Sequence, residues 1–152
     1  MASLKPKKDS VQQFDLRGVT SFDQLLEKVS TFYGKPIHLE ALGEDAWGPL
    51  TAFLDETPEE VTVFYRTQDS PQYQLQCICH EFGHLVLGTG CGLSIDESVA
   101  SQVEIGDRSI RVQARDLRDT AEERAAEEFA FAVIRHLRNA GREKSLAAVI
   151  WA

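Results

Sequence analysis

Cysteine is scarce in this chain of 152 residues, which contains only Cys77, Cys79 and Cys91. The N-terminal segment is polar and lacks the apolar stretch of a secretory signal. An odd number of cysteines without an export signal argues against a disulfide framework. We therefore expect a cytoplasmic protein.

The sequence also has few positive charges and no long apolar run. Its 16 Lys and Arg residues stand against 24 Asp and Glu residues, which gives a net charge of −8. An acidic surface repels the phosphate backbone, so we expect no direct binding of nucleic acid. No run approaches the roughly 20 apolar residues of a transmembrane helix, so we expect no membrane contact. We therefore expect the binding partner to be a protein, not a nucleic acid or a membrane.

Length and composition indicate a single domain. With 43% hydrophobic residues the chain can bury one ordinary core, and it contains no internal repeat or low-complexity tract. Residues 1–15 are mostly polar, with Lys5, Lys7 and Lys8 clustered, and we predict a flexible tail there. Residues 16–152 then form the predicted domain.

Histidine is rare too, and two of the four histidines lie in the stretch His80-Glu81-Phe82-Gly83-His84. Residues four apart lie on one face of a helix, so both imidazoles can bind one metal ion. A single histidine on an apolar face is more often a hydrogen-bonded core residue, but the pairing weakens that interpretation. A hydrolytic zinc site has three protein ligands and an open fourth position. The stretch therefore predicts part of a zinc site that needs a third ligand.

The residues around this stretch indicate a helix with two different faces. At about 100° per residue, polar and apolar positions separate onto opposite sides. The polar quadrant contains Cys77, His80, Glu81, His84 and Gly88, and the apolar side contains Leu75, Ile78, Phe82, Leu85 and Val86. Because Cys77 shares the quadrant, a closed structural site of Cys77, His80 and His84 is an alternative. Free cysteine is also a common small buried residue.

The third ligand is expected on the next long helix. Asp119 or Thr120 can cap this helix, which continues to Leu137. Its apolar stripe consists of Ala126, Phe129, Ala130, Val133 and Leu137. Glu122 and Glu123 flank the stripe at similar angles, so geometry alone does not choose between them. Glutamates at a helix start are also favoured by the helix dipole without any metal.

Upstream of the histidines, the pattern predicts one helix followed by strands. Thr20 and Ser21 can cap a helix from Phe22 to about Phe32. Residues 36–42, 50–55 and 60–66 alternate as strands do, with turns between them. We therefore predict an α+β fold, in which an antiparallel sheet of about three strands packs on the metal-binding helices. A weaker alternation follows at residues 109–113.

Two separated segments carry a further pattern. The first is His80-Glu81-Phe82-Gly83-His84, and the second is Glu123-Arg124-Ala125-Ala126-Glu127-Glu128-Phe129-Ala130. Together they resemble the ImmA/IrrE family of zinc metallopeptidases, whose pattern is H-E-[FL]-G-H followed by E-x-x-A-[ND]-x-F-A. The resemblance extends over about residues 20–140 and is specific at the two segments.

The resemblance implies a small zincin-like domain and a role for each matched residue. It makes His80 and His84 the imidazole ligands of Zn²⁺, Glu81 the general base and Glu123 the third ligand. Glu127 departs from the pattern, because the family usually has Asn or Asp at that position. A longer carboxylate could still accept a hydrogen bond from a ligand histidine.

The function implied is that of an intracellular zinc-dependent endopeptidase that hydrolyses peptide bonds in a regulatory protein. Members of the family often cleave or control helix-turn-helix repressors, so a repressor or antitoxin is the expected partner. The alternative is a toxin component or partner-binding module of a two-gene regulatory pair, in which proteolysis is not the main effect. Spacing marks no donor for the oxyanion. Tyr65, Tyr73 and His136 are conceivable, but each is more often structural.

Overall fold

In a computed structural model of the chain, helices pack on one face of a mixed sheet. The structure describes residues 14–43, 52–88, 111–114 and 120–140. In these ranges the helices are α1 (Phe22–Tyr33), α2 (Pro71–Leu87) and α3 (Ala121–Ala140), and the strands are β1 (Ile37–Leu42), β2 (Ala52–Glu56), β3 (Val61–Arg66) and β4 (Arg111–Ala114). The predicted α+β class is confirmed.

The strand pairing corrects the prediction of an antiparallel sheet. The four strands lie in the order β1-β3-β2-β4. β1 runs parallel to β3, with Ile37 opposite Val61, whereas β2 runs antiparallel to both β3 and β4. The prediction was wrong because alternating apolar residues indicate a strand but do not say which neighbour it joins. β1 pairs with the far side of β3 instead of with β2, its neighbour in sequence.

The core lies between the sheet and helices α1 and α2. The residues of β3 that point to this side are Val61, Val63 and Tyr65, and they meet Leu25 and Val29 of α1 and Leu75, Ile78 and Phe82 of α2. On the opposite side of the sheet Phe53 stacks on Phe64, with 4.5 Å between ring centroids. Phe14, which falls in the predicted tail, belongs to the core between the sheet and the helices, where its ring meets Phe32 edge-on. Residues 1–13 of that tail lie outside the described residues.

Helix α1 begins and ends where its sequence predicts. The Ser21 hydroxyl accepts a hydrogen bond from the backbone N–H of Gln24 at 3.2 Å, as an N-cap does. The chain leaves the helix through Gly34, whose φ of 88° is left-handed and strongly favours glycine. The helix extends to Tyr33, one residue beyond the prediction.

Helix α2 lies between the sheet and α3, so it is enclosed on two sides. Ser70 caps its start with Pro71 in the first turn, and Gly88 ends it with a φ of 68°. Every residue from Cys77 to Val86 is buried. The face that the sequence marks as polar is therefore covered by α3 instead of facing solvent.

Helix α3 packs along α2 and supplies the second wall of the site. The Thr120 hydroxyl accepts a hydrogen bond from the Glu123 N–H at 3.1 Å, which fixes the helix start at the position predicted. Its apolar stripe is buried as predicted, except that the helix continues three residues past Leu137 to Ala140. None of the helices in the described ranges combines the length and the apolar character needed to cross a bilayer.

Candidate metal centre

Two helices bring three potential metal ligands to one point. His80 and His84 come from α2, one turn apart, and their Nε2 atoms lie 3.2 Å from each other. Glu123 comes from the first turn of α3. One of its carboxylate oxygens lies 2.7 Å from His80 Nε2 and the other lies 3.1 Å from His84 Nε2. All three ligand atoms fall within 4.8 Å of one another, and no second group of this kind occurs among the described residues.

The cluster is almost completely shielded from solvent. The exposed fractions are 1% for His80, 0% for His84 and 6% for Glu123. Burying a carboxylate and two imidazoles costs free energy unless they have partners, and here they are partners for one another. A cation at their centre would satisfy all three at once. The arrangement therefore could hold one metal ion, as the sequence predicted.

The structure distinguishes the two glutamates that helical angles left equivalent. Glu123 is buried against α2, whereas Glu122 is exposed to solvent. Glu123 shares the face of Ala126 and Ala130, three and seven residues later, and this face is the one that meets α2. Only Glu123 of this pair reaches the histidines.

Glu81, the predicted general base, follows His80 directly on α2 and is fully buried, with an exposed fraction of 0%. It does not belong to the group of three ligand residues. Glu81 thus leaves the metal position to His80, His84 and Glu123, and its role as general base stays a prediction.

Glu127 contacts the opposite side of the His80 ring. Its Oε2 lies 2.7 Å from His80 Nδ1, while His80 Nε2 faces Glu123. The hydrogen bond that a longer carboxylate could make at this position is therefore present. When Nδ1 donates its proton to Glu127, the lone pair on Nε2 is directed to the centre of the cluster.

The two described cysteines are not part of the ligand group. Cys77 is buried on α2, and the group that could hold a metal uses Glu123 as its third member instead. Burial raises the pKa of the Cys79 thiol, which disfavours the thiolate that a metal would need. Cys91 lies outside the described residues. The structure thus favours the mixed histidine and carboxylate set over the closed site with Cys77.

The three conceivable oxyanion donors lie in different surroundings. The His136 ring nitrogen Nε2 lies 2.8 Å from the Val19 carbonyl oxygen, which ties α3 to the segment before α1. Tyr65 is buried in the core, and burial raises the pKa of its phenol. Tyr73 is half-buried in the first turn of α2, about two turns before His80. None of them is assigned a role at the cluster.

Gly83 permits the close approach of the two helices. A Cβ atom on Gly83 would lie 3.0 Å from both Cα and the carbonyl oxygen of Ala126, and 3.2 Å from the Phe129 ring. The first two contacts are with backbone, which cannot move aside as a flexible side chain could. The residue pattern around the histidines did not predict this role for Gly83. A glycine inside a helix lowers stability by roughly 0.5–1 kcal/mol relative to alanine. A glycine at such a position therefore often indicates that another part of the chain packs closely against it.

Comparison with known proteins adds no further assignment: no family model, no curated protein and no solved structure matches the chain. The relation to the ImmA/IrrE family therefore stays a prediction carried by the two segments. The description of the site therefore rests on the positions of His80, His84 and Glu123.

We expect Gly83→Ala to weaken both the fold and the metal centre. The added methyl group forces α3 away from α2, and overpacking of this kind typically costs about 1–3 kcal/mol. Glu123 then moves away from the histidines, so the affinity for Zn²⁺ should fall as well. Thermal unfolding and competition with a chromophoric chelator measure the two effects. Gly43→Ala is the control, because a Cβ there meets nothing within 4 Å. Equal affinities in all three proteins would contradict the role of Gly83.

We expect Glu123→Ala to abolish stoichiometric metal binding. It removes one of three ligands, so the loss of Zn²⁺ affinity should exceed the roughly 10- to 100-fold typical of residues that only support a ligand. Glu122→Ala is the matched control, since it removes the same side chain from an exposed neighbouring position. Metal content per chain after dialysis distinguishes the two variants. A Glu123→Ala protein that retains one zinc per chain would refute the assignment.

Proposed function

We propose that this protein is a zinc-dependent peptidase. The observation that carries the proposal is the convergence of His80, His84 and Glu123 on one buried point between α2 and α3. Catalytic zinc sites typically use three protein ligands and keep a fourth position open, and two histidines with one glutamate form such a set. A structural zinc site would instead be closed by four protein ligands.

We propose zinc as the metal, although manganese or iron could occupy the same donors. Imidazole nitrogen and carboxylate oxygen suit Zn²⁺, and no thiolate belongs to the group. When bound, zinc would supply Lewis-acid activation of a water molecule and of a carbonyl group. The protein contributes buried surroundings, in which electrostatic interactions are stronger than in water.

Glu81 is the residue that we propose moves the proton. Its carboxylate would accept a proton from the attacking water and later donate it to the leaving amine. The position supports this role, because Glu81 directly follows the ligand His80 and is buried outside the ligand set. A site that only binds a partner would not require a general base.

The proposed substrate is a segment of another protein. Both outer strands of the described sheet, β1 and β4, have one side that pairs with no other described strand. An extended peptide can add to such an edge through backbone hydrogen bonds. Since net charge disfavours nucleic acid, we propose a cytoplasmic regulatory protein as the target, and a helix-turn-helix repressor or antitoxin as its class.

A second candidate function is that of a partner-binding module, such as the toxin component of a two-gene pair. One observation favours it: two of the three conceivable oxyanion donors, Tyr65 and His136, are held in the core or by the backbone. In that case the metal would stabilise a binding surface and hydrolysis would not be the main effect. The presence of Glu81 beside His80 favours the peptidase, because a partner-binding module would not need a general base.

We expect Glu81→Gln to keep the metal and lose turnover. General acid–base catalysis contributes roughly 10²- to 10⁴-fold, so peptide cleavage should fall by that factor while zinc content stays at the wild-type value. The measurement is cleavage of a proteome-derived peptide library by zinc-loaded protein, followed by mass spectrometry.

Glu128→Gln is the matched control for this experiment, because Glu128 is exposed on α3. Wild-type cleavage rates in Glu81→Gln would rule out Glu81 as the base. If neither the wild type nor either variant cleaves any peptide, while all three bind zinc, the binding module is the better account.

A further inference from the structure

A chain of polar contacts extends from the metal centre to a glutamine outside the predicted site. Gln76 lies on α2 one turn before His80, and Glu127 lies on α3 one turn after Glu123. The Gln76 side-chain amide donates a hydrogen bond to Glu127 Oε1 at 2.5 Å. The other oxygen of the same carboxylate, Oε2, lies 2.7 Å from His80 Nδ1. The contacts thus link Gln76 to His80 through Glu127.

The two oxygens of Glu127 have different partners, and this fixes the orientation of the carboxylate. An ionised carboxylate only accepts hydrogen bonds, so it requires a donor on each side. The Gln76 amide is such a donor, and it is neutral. A neutral donor leaves the charge of an ionised Glu127 uncompensated, whereas a lysine or arginine in place of Gln76 would offset it.

The orientation of Glu127 determines what His80 presents to the metal. With Nδ1 donating to Glu127, the proton is held on that side of the ring, and the lone pair of Nε2 faces Glu123 and His84, where a cation would bind. A charged acceptor behind a ligand histidine also makes the ring a stronger donor to the metal. His84 and Glu123 reach the same point from their own positions on α2 and α3.

We propose that Gln76 and Glu127 form a positioning pair for His80, and that Gln76 acts on the metal only through Glu127. The inference rests on the metal centre of the proposed function. It adds to the site a residue that the paired histidines and the Glu123 segment do not include. It also explains how a glutamate serves at position 127: its extra length is accommodated because Gln76 holds the second oxygen.

A purely structural role for the pair predicts a different outcome. Gln76 and Glu127 also join α2 to α3, so their contact could stabilise the fold and nothing else. In that case the variants would lower the unfolding temperature of the metal-free protein and leave metal coordination unchanged. The visible spectrum of bound Co²⁺ reports on coordination directly. A fall in metal affinity without a matching fall in the unfolding temperature of the metal-free protein separates a change at His80 from a loss of contact between the helices.

The test is a double-mutant cycle with Gln76→Ala, Glu127→Ala and both together, using Zn²⁺ affinity as the readout. Removal of a residue that supports a ligand histidine typically lowers metal affinity about 10- to 100-fold, which we expect for Glu127→Ala. Gln76→Ala removes only the hydrogen bond that orients Glu127 and leaves the contact of Glu127 with His80. We therefore expect a smaller loss of zinc affinity, about 3- to 10-fold. The double variant should match Glu127→Ala, because Gln76 has nothing to orient once the carboxylate is gone.

Controls and a conservative variant sharpen the test. Gln72→Ala and Glu128→Ala remove the same side chains from exposed positions on the same helices, and their affinities should equal that of the wild type. Glu127→Gln keeps an oxygen that can accept from His80 but lacks the charge, so its affinity should lie between those of wild type and Glu127→Ala. The Co²⁺ spectrum should change in Gln76→Ala and Glu127→Ala and remain unchanged in both controls.

The possible outcomes distinguish failure of the proposed Gln76–Glu127 pair from failure of the metal centre itself. If the wild type binds zinc and Gln76→Ala binds it equally well, the pair is refuted and the proposed function stands. The same holds if Gln76→Ala lowers affinity by an equal factor in the Glu127→Ala background, since Gln76 would then act independently of Glu127. A wild-type protein that binds neither zinc nor cobalt would overturn the metal centre and the pair together.

Discussion

The contact between Gly83 of α2 and Ala126 of α3 is the constraint on which the metal centre depends. The histidines and Glu123 stand on different helices, so they meet only if the helix axes approach closely. Packed helices are usually 8–10 Å apart, and small residues at the contact allow the short end of this range. A Cβ on Gly83 would lie only 3.0 Å from the Ala126 backbone. Any larger residue at this point separates the ligands.

The same packing gives the centre its dry surroundings. Because α2 has the sheet on one side and α3 on the other, its polar quadrant is buried together with its apolar face. The His80 ring lies between the carboxylates of Glu123 and Glu127. The buried Glu123 carboxylate and the two buried imidazoles, with the half-buried Glu127 behind His80, form an environment that a cation stabilises. The site thus combines electrostatic attraction for a metal with the exclusion of bulk solvent.

Local signals in the sequence were sufficient for the helices and strands but not for their arrangement. Ser21, Gly34 and Thr120 fix helix ends through bonds to residues a few positions away, so their roles could be predicted. The strand boundaries were predicted to within about two residues for the same reason. The parallel pairing of β1 with β3 was missed, because it joins segments separated by the whole of β2. The weak alternation at residues 109–113 gave only a slight indication of β4.

What the sequence determined by itself is the pairing of His80 with His84 and the adjacent Glu81, because four-residue spacing on a helix is a local property of the backbone. The choice of Glu123 over Glu122, the contact of Glu127 with His80 and the role of Gln76 were decided by the tertiary structure. Glu123 meets His80 across 43 positions of sequence. Such a meeting depends on how α3 is rotated about its axis and how near it lies to α2. Packing at Gly83 and Ala126 sets the distance between the two helices. The spacing of residues within either helix does not predict that distance.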